Sequence, residues 1–405
     1  MVPLTIQLSV PTLPPHVIQR VKAAKQALIQ LLVKLSKTKF TTKARRFQRD
    51  GTIVVSINPV KALLFTVVAL VILLTYSTVK TVSNLSVPST ITEQASLPSL
   101  QTFDRVAEKW DRARRQSEGG AAWYNHPVVV STYKARLAAG SPNEVEHLKL
   151  NYGVFDRCLS IGCGDGPLEI QMVQAGLCKH MKGVDLSPRR IGRAQQSVPE
   201  ELLGQVTFVV ENAETSLVHS SKEQYDLILF SHALKHIFDL KAFTAKLQKN
   251  VLSRNGIVVL VEYVGAARFQ FPPEQTRLIG QTLAELELHY PDRVPDFRKN
   301  PLWDGMAFRT PNPDSIQQDD PSETVHSNNI VSILHSHFRL QEDVPLGGNL
   351  YQFIFDGAYD QLQDSTGQQI VRDMLAKEME LIRTGNIKSD FVFQIWKHKP
   401  KRRRR

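Results

Sequence analysis

From about residue 150 to 398 the chain alternates short apolar runs with stretches of helical period. Cys158–Ile161, Lys182–Asp185, Val206–Glu211, Asp226–Phe230 and Ile257–Glu262 are β-rich and of strand length. Residues 166–177, 188–197 and 240–251, lying between them, carry the helical pattern. Apolar runs spaced by helices predict a mostly parallel sheet covered on both faces, an α/β doubly wound fold. Two later strand candidates, Phe338–Val344 and Phe391–Trp396, enclose a helical pattern over 366–384 and bring the sheet to seven strands. No internal repeat is visible.

The first hundred residues follow a different pattern. Residues 62–76, ALLFTVVALVILLTY, are uninterrupted by charge, and Ser77 to Val79 lengthen the run to the lower limit for spanning a bilayer. A single transmembrane helix over 60–79 is the expectation; the competing reading, a buried core helix, finds no neighbouring apolar pattern to pack against. Lys43, Arg45, Arg46, Arg49 and Lys61 precede the segment, whereas Lys80 alone follows it closely. The positive-inside rule then puts the N-terminus in the cytosol and the large domain on the lumenal side of a secretory membrane. Upstream, Ile18, Val21, Leu28, Leu32 and Leu35 alternate with Arg20, Lys22, Lys25 and Lys34, a basic amphipathic pattern suited to a membrane surface. An acid-poor leader of this kind also suits an organelle transit sequence, the alternative for 1–59. Residues 80–102 read as a Ser/Thr/Pro linker. The domain proper covers 103–398, opening with a helical lead-in that carries Trp110, Trp123 and Tyr124 and including a polar insertion near 303–328; 399–405 is a basic tail.

Charge sharpens this division. The net charge is +11, yet residues 1–92 hold twelve Lys and Arg against one acid, Asp50, and 397–405 add seven basic groups. Residues 93–396 are therefore net −7. A catalytic face for nucleic acid needs clustered cations, so nucleic acid is not an expected partner. Cys158, Cys163 and Cys178 lack metal-ligand spacing. They read as small buried hydrophobes rather than as a disulfide framework or a metal site.

Candidate chemistry gathers where the strands end. Gly162-Cys163-Gly164-Asp165-Gly166 leaves the first strand and enters a helical pattern; glycine there permits positive φ and close approach of backbone to a ligand. Asp185, at the tip of the second strand and followed by Leu186, is placed to accept both ribose hydroxyls of a nucleoside. The third strand runs into Asn212-Ala213-Glu214, placed to read an adenine edge, and the fourth into Ser231-His232-Ala233-Leu234-Lys235-His236. All lie at carboxyl ends of parallel strands, where open α/β sheets bind ligands. A nicotinamide cofactor competes for such a loop. Its fingerprint wants the third glycine one position later, where this chain has Pro167, and no hydride-transfer pair follows.

The ordered segments LSIGCGDG, GVDLSP, ENAE and DLILFSHALKHI resemble the motifs of class I S-adenosylmethionine-dependent methyltransferases, over roughly 150–265. The resemblance implies a Rossmann-like methyltransferase sheet and S-adenosyl-L-methionine as cofactor. It places Gly162, Gly164 and Gly166 under the methionine end, Asp185 at the ribose, and Asn212 with Ala213 at adenine. One departure is Ser160, where the family often has an acid. WYNHP at 123–127, EYVGAARFQ at 262–270, DPSE at 320–323 and SDFVF at 389–393 are similar to an uncharacterised branch of the family found among bacterial polysaccharide genes.

His232 and His236 are the candidate general bases, since an imidazole titrates near neutrality. Glu262, Tyr263 and Arg268 follow the fifth strand on the same rim and are candidate acceptor contacts, Arg268 as a clamp for a carboxylate or phosphate. Asp320 and Glu323 read by default as solvated loop acids. The expected activity is methyl transfer to a polar, membrane-proximal acceptor such as a glycan hydroxyl. A catalytically idle cofactor-binding scaffold is the alternative from a different class.

Overall fold

The computed structural model describes residues 98–112, 123–137, 143–220, 223–293, 298, 302–304, 307–355 and 358–399. The predicted span at 60–79, the leader, and most of the linker and of the basic tail lie outside these residues. No helix among the described residues is long and apolar enough to cross a membrane.

The sheet strands are β1 (Phe155–Ile161), β2 (Cys178–Asp185), β3 (Val206–Val210), β4 (Tyr225–Ser231), β5 (Leu252–Tyr263), β6 (Phe338–Gly347) and β7 (Phe391–His398). Their order across the sheet is β3-β2-β1-β4-β5-β7-β6. β1 to β5 are mutually parallel; β7 runs antiparallel to β5 and to β6. Each predicted strand is present, lengthened at one or both ends or, for β3, one residue shorter. Helices α1 (Leu100–Arg112), α2 (Pro127–Leu137), α3 (Glu144–Tyr152), α4 (Pro167–Gln174), α5 (Pro188–Gln196), α6 (Leu240–Lys246), α7 (Pro273–His289), α8 (Pro313–Asp319), α9 (Ile330–His337) and α10 (Ser365–Arg383) complete the fold.

Period-two alternation explains why both faces are covered. Leu227 and Leu229 join Cys158, Met181, Ile257, Val259 and Phe393 in one core. Ile228 and Phe230 join Leu159, Val184, Val258, Leu260 and Trp396 in the other. Side chains two apart share a face, so strands apolar at every position need helices on both sides. A third cluster gathers α2, α7 and α10 through Val129, Ile279, Leu283, Ile370 and Met374. The α7 helix and α3 were not singled out in the sequence.

The cysteines need a correction. Cys158 of β1 and Cys178 of β2 form a disulfide, leaving Cys163 free and buried. Adjacent parallel strands bring the two together across 20 residues of sequence, a proximity that motif spacing does not reveal. Cross-linking a loop of this length stabilises by about 3 kcal/mol through the unfolded chain. Replacing both residues, Cys158→Ala with Cys178→Ala, is expected to lower unfolding free energy in urea by about that amount. An unchanged midpoint would mean that the bond constrains nothing.

Candidate functional site

The glycine loop is held from below by its neighbours. Gly162 N–H and Cys163 N–H donate to the Val184 carbonyl at 2.8 and 3.1 Å, extending the β1–β2 ladder past the last residue of β1. Gly164 N–H then donates to Asp185 Oδ2 at 2.9 Å, while Ser187 N–H takes Asp185 Oδ1 at 2.9 Å. The Asp185 carboxylate thus fixes the loop, with lone pairs left on both oxygens. Gly162, Gly164 and Gly166 have φ of +73°, +57° and +80°. Gly166 caps α4, whose first residue is Pro167, so the turn that disfavours the dinucleotide spacing is also a good helix start.

Ser160 resolves its own anomaly. Its hydroxyl donates to Glu169 Oε1 at 2.6 Å, so a carboxylate from α4 reaches the place where the family often carries an acid on the strand. Glu169 is buried, and burial pushes it up to about 7, against the lowering effect of the Ser160 bond. Its other oxygen, Oε2, has no partner, as expected of a group with a ligand still to meet. Sequence reading missed Glu169; the available signal was an acid one helical turn after the last glycine.

Other expected cofactor contacts have structural duties. Asp165 turns to α5, where its Oδ1 accepts from Arg193 at 2.7 Å. Cys163 is buried, and burial raises its thiol well above the usual range. Asn212 caps the turn that follows β3, accepting from Glu214 N–H at 2.9 Å and Thr215 N–H at 3.1 Å. Glu214 does not face a ligand. Its carboxylate is buried and receives the N–H groups of Phe238 and Asp239, which corrects its assignment as an adenine contact. Ala213 is buried beside it, whereas Gly162, Asp185, Leu186, Asn212, Ser231 and His232 retain accessible surface and form a row along the carboxyl edge of the sheet.

The far end of that row is a polar corner. His232 leaves β4 with φ +56°, its N–H on the Val261 carbonyl at 2.8 Å and its ring edge-on to Phe391. His232 is exposed at the strand end; desolvation, with Lys235 and His236 adding to it, lowers its pKa to about 4. His236 Nδ1 lies 3.0 Å from Ser322 Oγ, and that hydroxyl donates to Asp320 Oδ1 at 2.6 Å. Burial lowers the His236 pKa too, with Glu323 opposing. Lys235 Nζ pairs with Glu323 Oε1 at 3.0 Å. Desolvation works against the ammonium, but Glu323 and Glu262 raise its pKa overall.

Asp320 is 2% exposed, so the solvated-loop reading of this acid is wrong. The insertion folds back over the β4 exit and delivers both acids to His236 and Lys235. Arg268 holds that turn: its guanidinium donates to the carbonyls of Glu323 and Pro321, each at 2.7 Å, instead of standing free as a clamp. Glu262 and Tyr263 are likewise not on the rim. Glu262 is fully buried and accepts from the N–H groups of Leu234, Lys235 and Tyr263, while Tyr263 Oη donates to the Ala266 carbonyl. Backbone donors at the end of a strand need an internal acceptor once water is excluded, and Glu262 is that acceptor.

The α1 helix spans both halves of the site. Asp111 accepts from Ser187 Oγ and from Arg189 N–H. Trp110 packs edge-on against His236 with ring centroids 5.4 Å apart, and the Arg190 guanidinium lies 5.5 Å from its centroid. Arg105 donates to the Gln318 carbonyl, and Lys109 pairs with Asp319. A separate cavity of about 450 Å³, lined by Arg157, His180, Lys182, Thr207 and Tyr225, lies at the opposite, amino edge of β1–β4 and holds none of this chemistry.

These residues fit S-adenosylmethionine. The loop presents backbone where no Cβ intervenes, Asp185 retains acceptor capacity, and Glu169 Oε2 is an orphaned buried oxygen suited to a cationic amino group. The profile of a methyltransferase domain matches residues 156–300. Aklanonic acid methyltransferase DauC of Streptomyces sp. (strain C5) is 30% identical over 143 residues, 34% of this chain and 61% of that protein. The chain thus spans about three fifths of that relative's length. Geranyl diphosphate C-methyltransferase of Streptomyces coelicolor A3(2) superposes at a TM-score of 0.40 with 13% identity, over 75% of this chain and 100% of its own. N-methyltransferase NodS of Bradyrhizobium japonicum WM9, bound to S-adenosyl-L-homocysteine, gives 0.37 and 13%, over 74% and 99%. Residues 156–300 thus match a methyltransferase domain, and the aligned relative and the motif-bearing strand ends agree with a class I S-adenosylmethionine-dependent methyltransferase.

Proposed function

We propose that the chain transfers a methyl group from S-adenosylmethionine to a hydroxyl of a glycan or another polar acceptor close to a membrane. The observation that carries this reading is the continuous accessible row from Gly162 and Asp185 to His232, closed at its far end by the polar corner. Bound there, the cofactor supplies an electrophilic methyl carbon. Gly162–Gly166 and Asp185 orient it, and the corner positions the acceptor. The hydroxyl oxygen bonds to the methyl carbon as the carbon–sulfur bond breaks. His232, neutral above a pH of about 4, receives the hydroxyl proton.

A membrane anchor over 60–79 with the catalytic domain on the lumenal side is part of the same proposal. The basic flanks support it, and so does the Cys158–Cys178 bond, since disulfides persist in oxidising compartments. The likeness to a branch found among polysaccharide genes supports the glycan. Full-length protein in sealed membranes, given S-adenosylmethionine with a radiolabelled methyl, is expected to label a glycan fraction. Label confined to protein or lipid would remove the glycan from the proposal. Digestion of the domain by protease added outside vesicles in native orientation would overturn the topology.

A further inference from the structure

The polar corner holds more unmet chemistry than any other part of the described structure. Among the buried side-chain atoms without a hydrogen-bond partner are His236 Nε2, Asp320 Oδ2 and Thr324 Oγ1, all within this corner. Asp320 Oδ2 has only a distant neighbour, His236 Nδ1 at 3.8 Å. Buried polar atoms are ordinarily satisfied, and several orphans at one place indicate a missing ligand. Backbone strain is concentrated here as well. Among the described residues the non-glycine positions with positive φ are His232, Arg268, Phe269 and Thr324, and three of them, His232, Arg268 and Thr324, border the corner. Such strain persists where surrounding structure enforces it, as at ligand clamps.

We propose that His236, Asp320 and Glu323 bind one divalent cation. One ligand atom from each residue can be chosen so that all lie within 4.8 Å of one another, close enough for a common ion after small side-chain adjustments. One imidazole and two carboxylates suit Mn²⁺ or Zn²⁺ better than Mg²⁺ or Ca²⁺, which prefer oxygen alone. Side-chain exposures of 15% for His236 and 20% for Glu323 leave a path for entry. Ser322, bonded to Asp320 Oδ1, holds that carboxylate so that Oδ2 faces the imidazole. Lys235 is the competitor, because its ammonium already neutralises Glu323.

At this place the ion would take an oxygen of the acceptor as a further ligand and make its hydroxyl more acidic. That role rests on the methyl-transfer reading; the binding itself does not. The test uses full-length protein freed of metal by a chelator, with Mn²⁺ titrated by calorimetry and by electron paramagnetic resonance. The expected result is one Mn²⁺ per chain. Asp320→Asn and Glu323→Gln should each weaken it at least tenfold, and Lys235→Met should tighten it by freeing Glu323. S-adenosyl-L-homocysteine affinity, measured in parallel, should change less than twofold in each variant, which also verifies folding. If Asp320→Asn does not fold, Glu323→Gln and Lys235→Met carry the test. Wild-type protein that binds neither Mn²⁺ nor Zn²⁺ saturably, or binding that Glu323→Gln leaves unchanged, overturns the site. Loss of homocysteine-analogue binding in the wild type would instead overturn the cofactor reading and leave the cation untouched.

Discussion

Gly164→Val is expected to abolish binding of S-adenosyl-L-homocysteine, a loss of at least a hundredfold by calorimetry, while the domain stays folded. Gly164 has φ +57°, a region that a β-branched residue avoids. A Cβ there would stand 2.5 Å from the Arg190 guanidinium, which lies over the loop. That side chain can move, but the backbone strain remains, at roughly 1–3 kcal/mol. Relief requires the loop to turn, and turning it breaks the Gly164 N–H bond to Asp185, the residue placed to hold the ribose. Loop shape and nucleoside recognition therefore fail together. Unchanged affinity in a folded variant would mean that the cofactor lies elsewhere.

Glu262→Ala is expected to destabilise the domain by about 4 kcal/mol in urea unfolding. Three backbone donors, those of Leu234, Lys235 and Tyr263, lose an acceptor that is fully buried. Each unsatisfied buried group costs roughly 1–3 kcal/mol. Lys235 also loses one of the two carboxylates that keep its ammonium charged in the interior. Glu262→Gln keeps one carbonyl acceptor and should cost less than half as much. A contact with the acceptor, the role that rim position suggested, makes the opposite forecast: near-wild-type stability with a raised KM for the acceptor. The two outcomes separate structural from substrate-binding duty.

The same contrast runs through the site. The loop, Asp185 and the histidines were legible as candidates because their placement follows from local order: glycine after a strand, an acid at the next strand's tip, polar residues where apolar runs stop. Glu262, Glu214 and Asn212 obey that rule too, yet their side chains serve backbone groups. Whether a polar residue at a strand end faces a ligand or an orphan N–H depends on which donors the next turn leaves unpaired, and that is decided in three dimensions. Glu169 shows the converse. It lies on a helix and looks like a surface acid, but it is buried and accepts from Ser160 of β1.

By itself, the sequence determined the alternation of strands and helices, the two-faced burial of the sheet and the chemistry of its glycine loop. Periodicity and turn residues are local properties, read from neighbours a few positions apart. Only the tertiary structure decided that Cys158 meets Cys178, that α1 lays Trp110 against His236, and that Asp320 and Glu323 arrive at the β4 exit. Those pairings join segments 20 to more than 100 residues apart. Their partners are chosen by packing and by the need to satisfy buried charge, which no local pattern encodes.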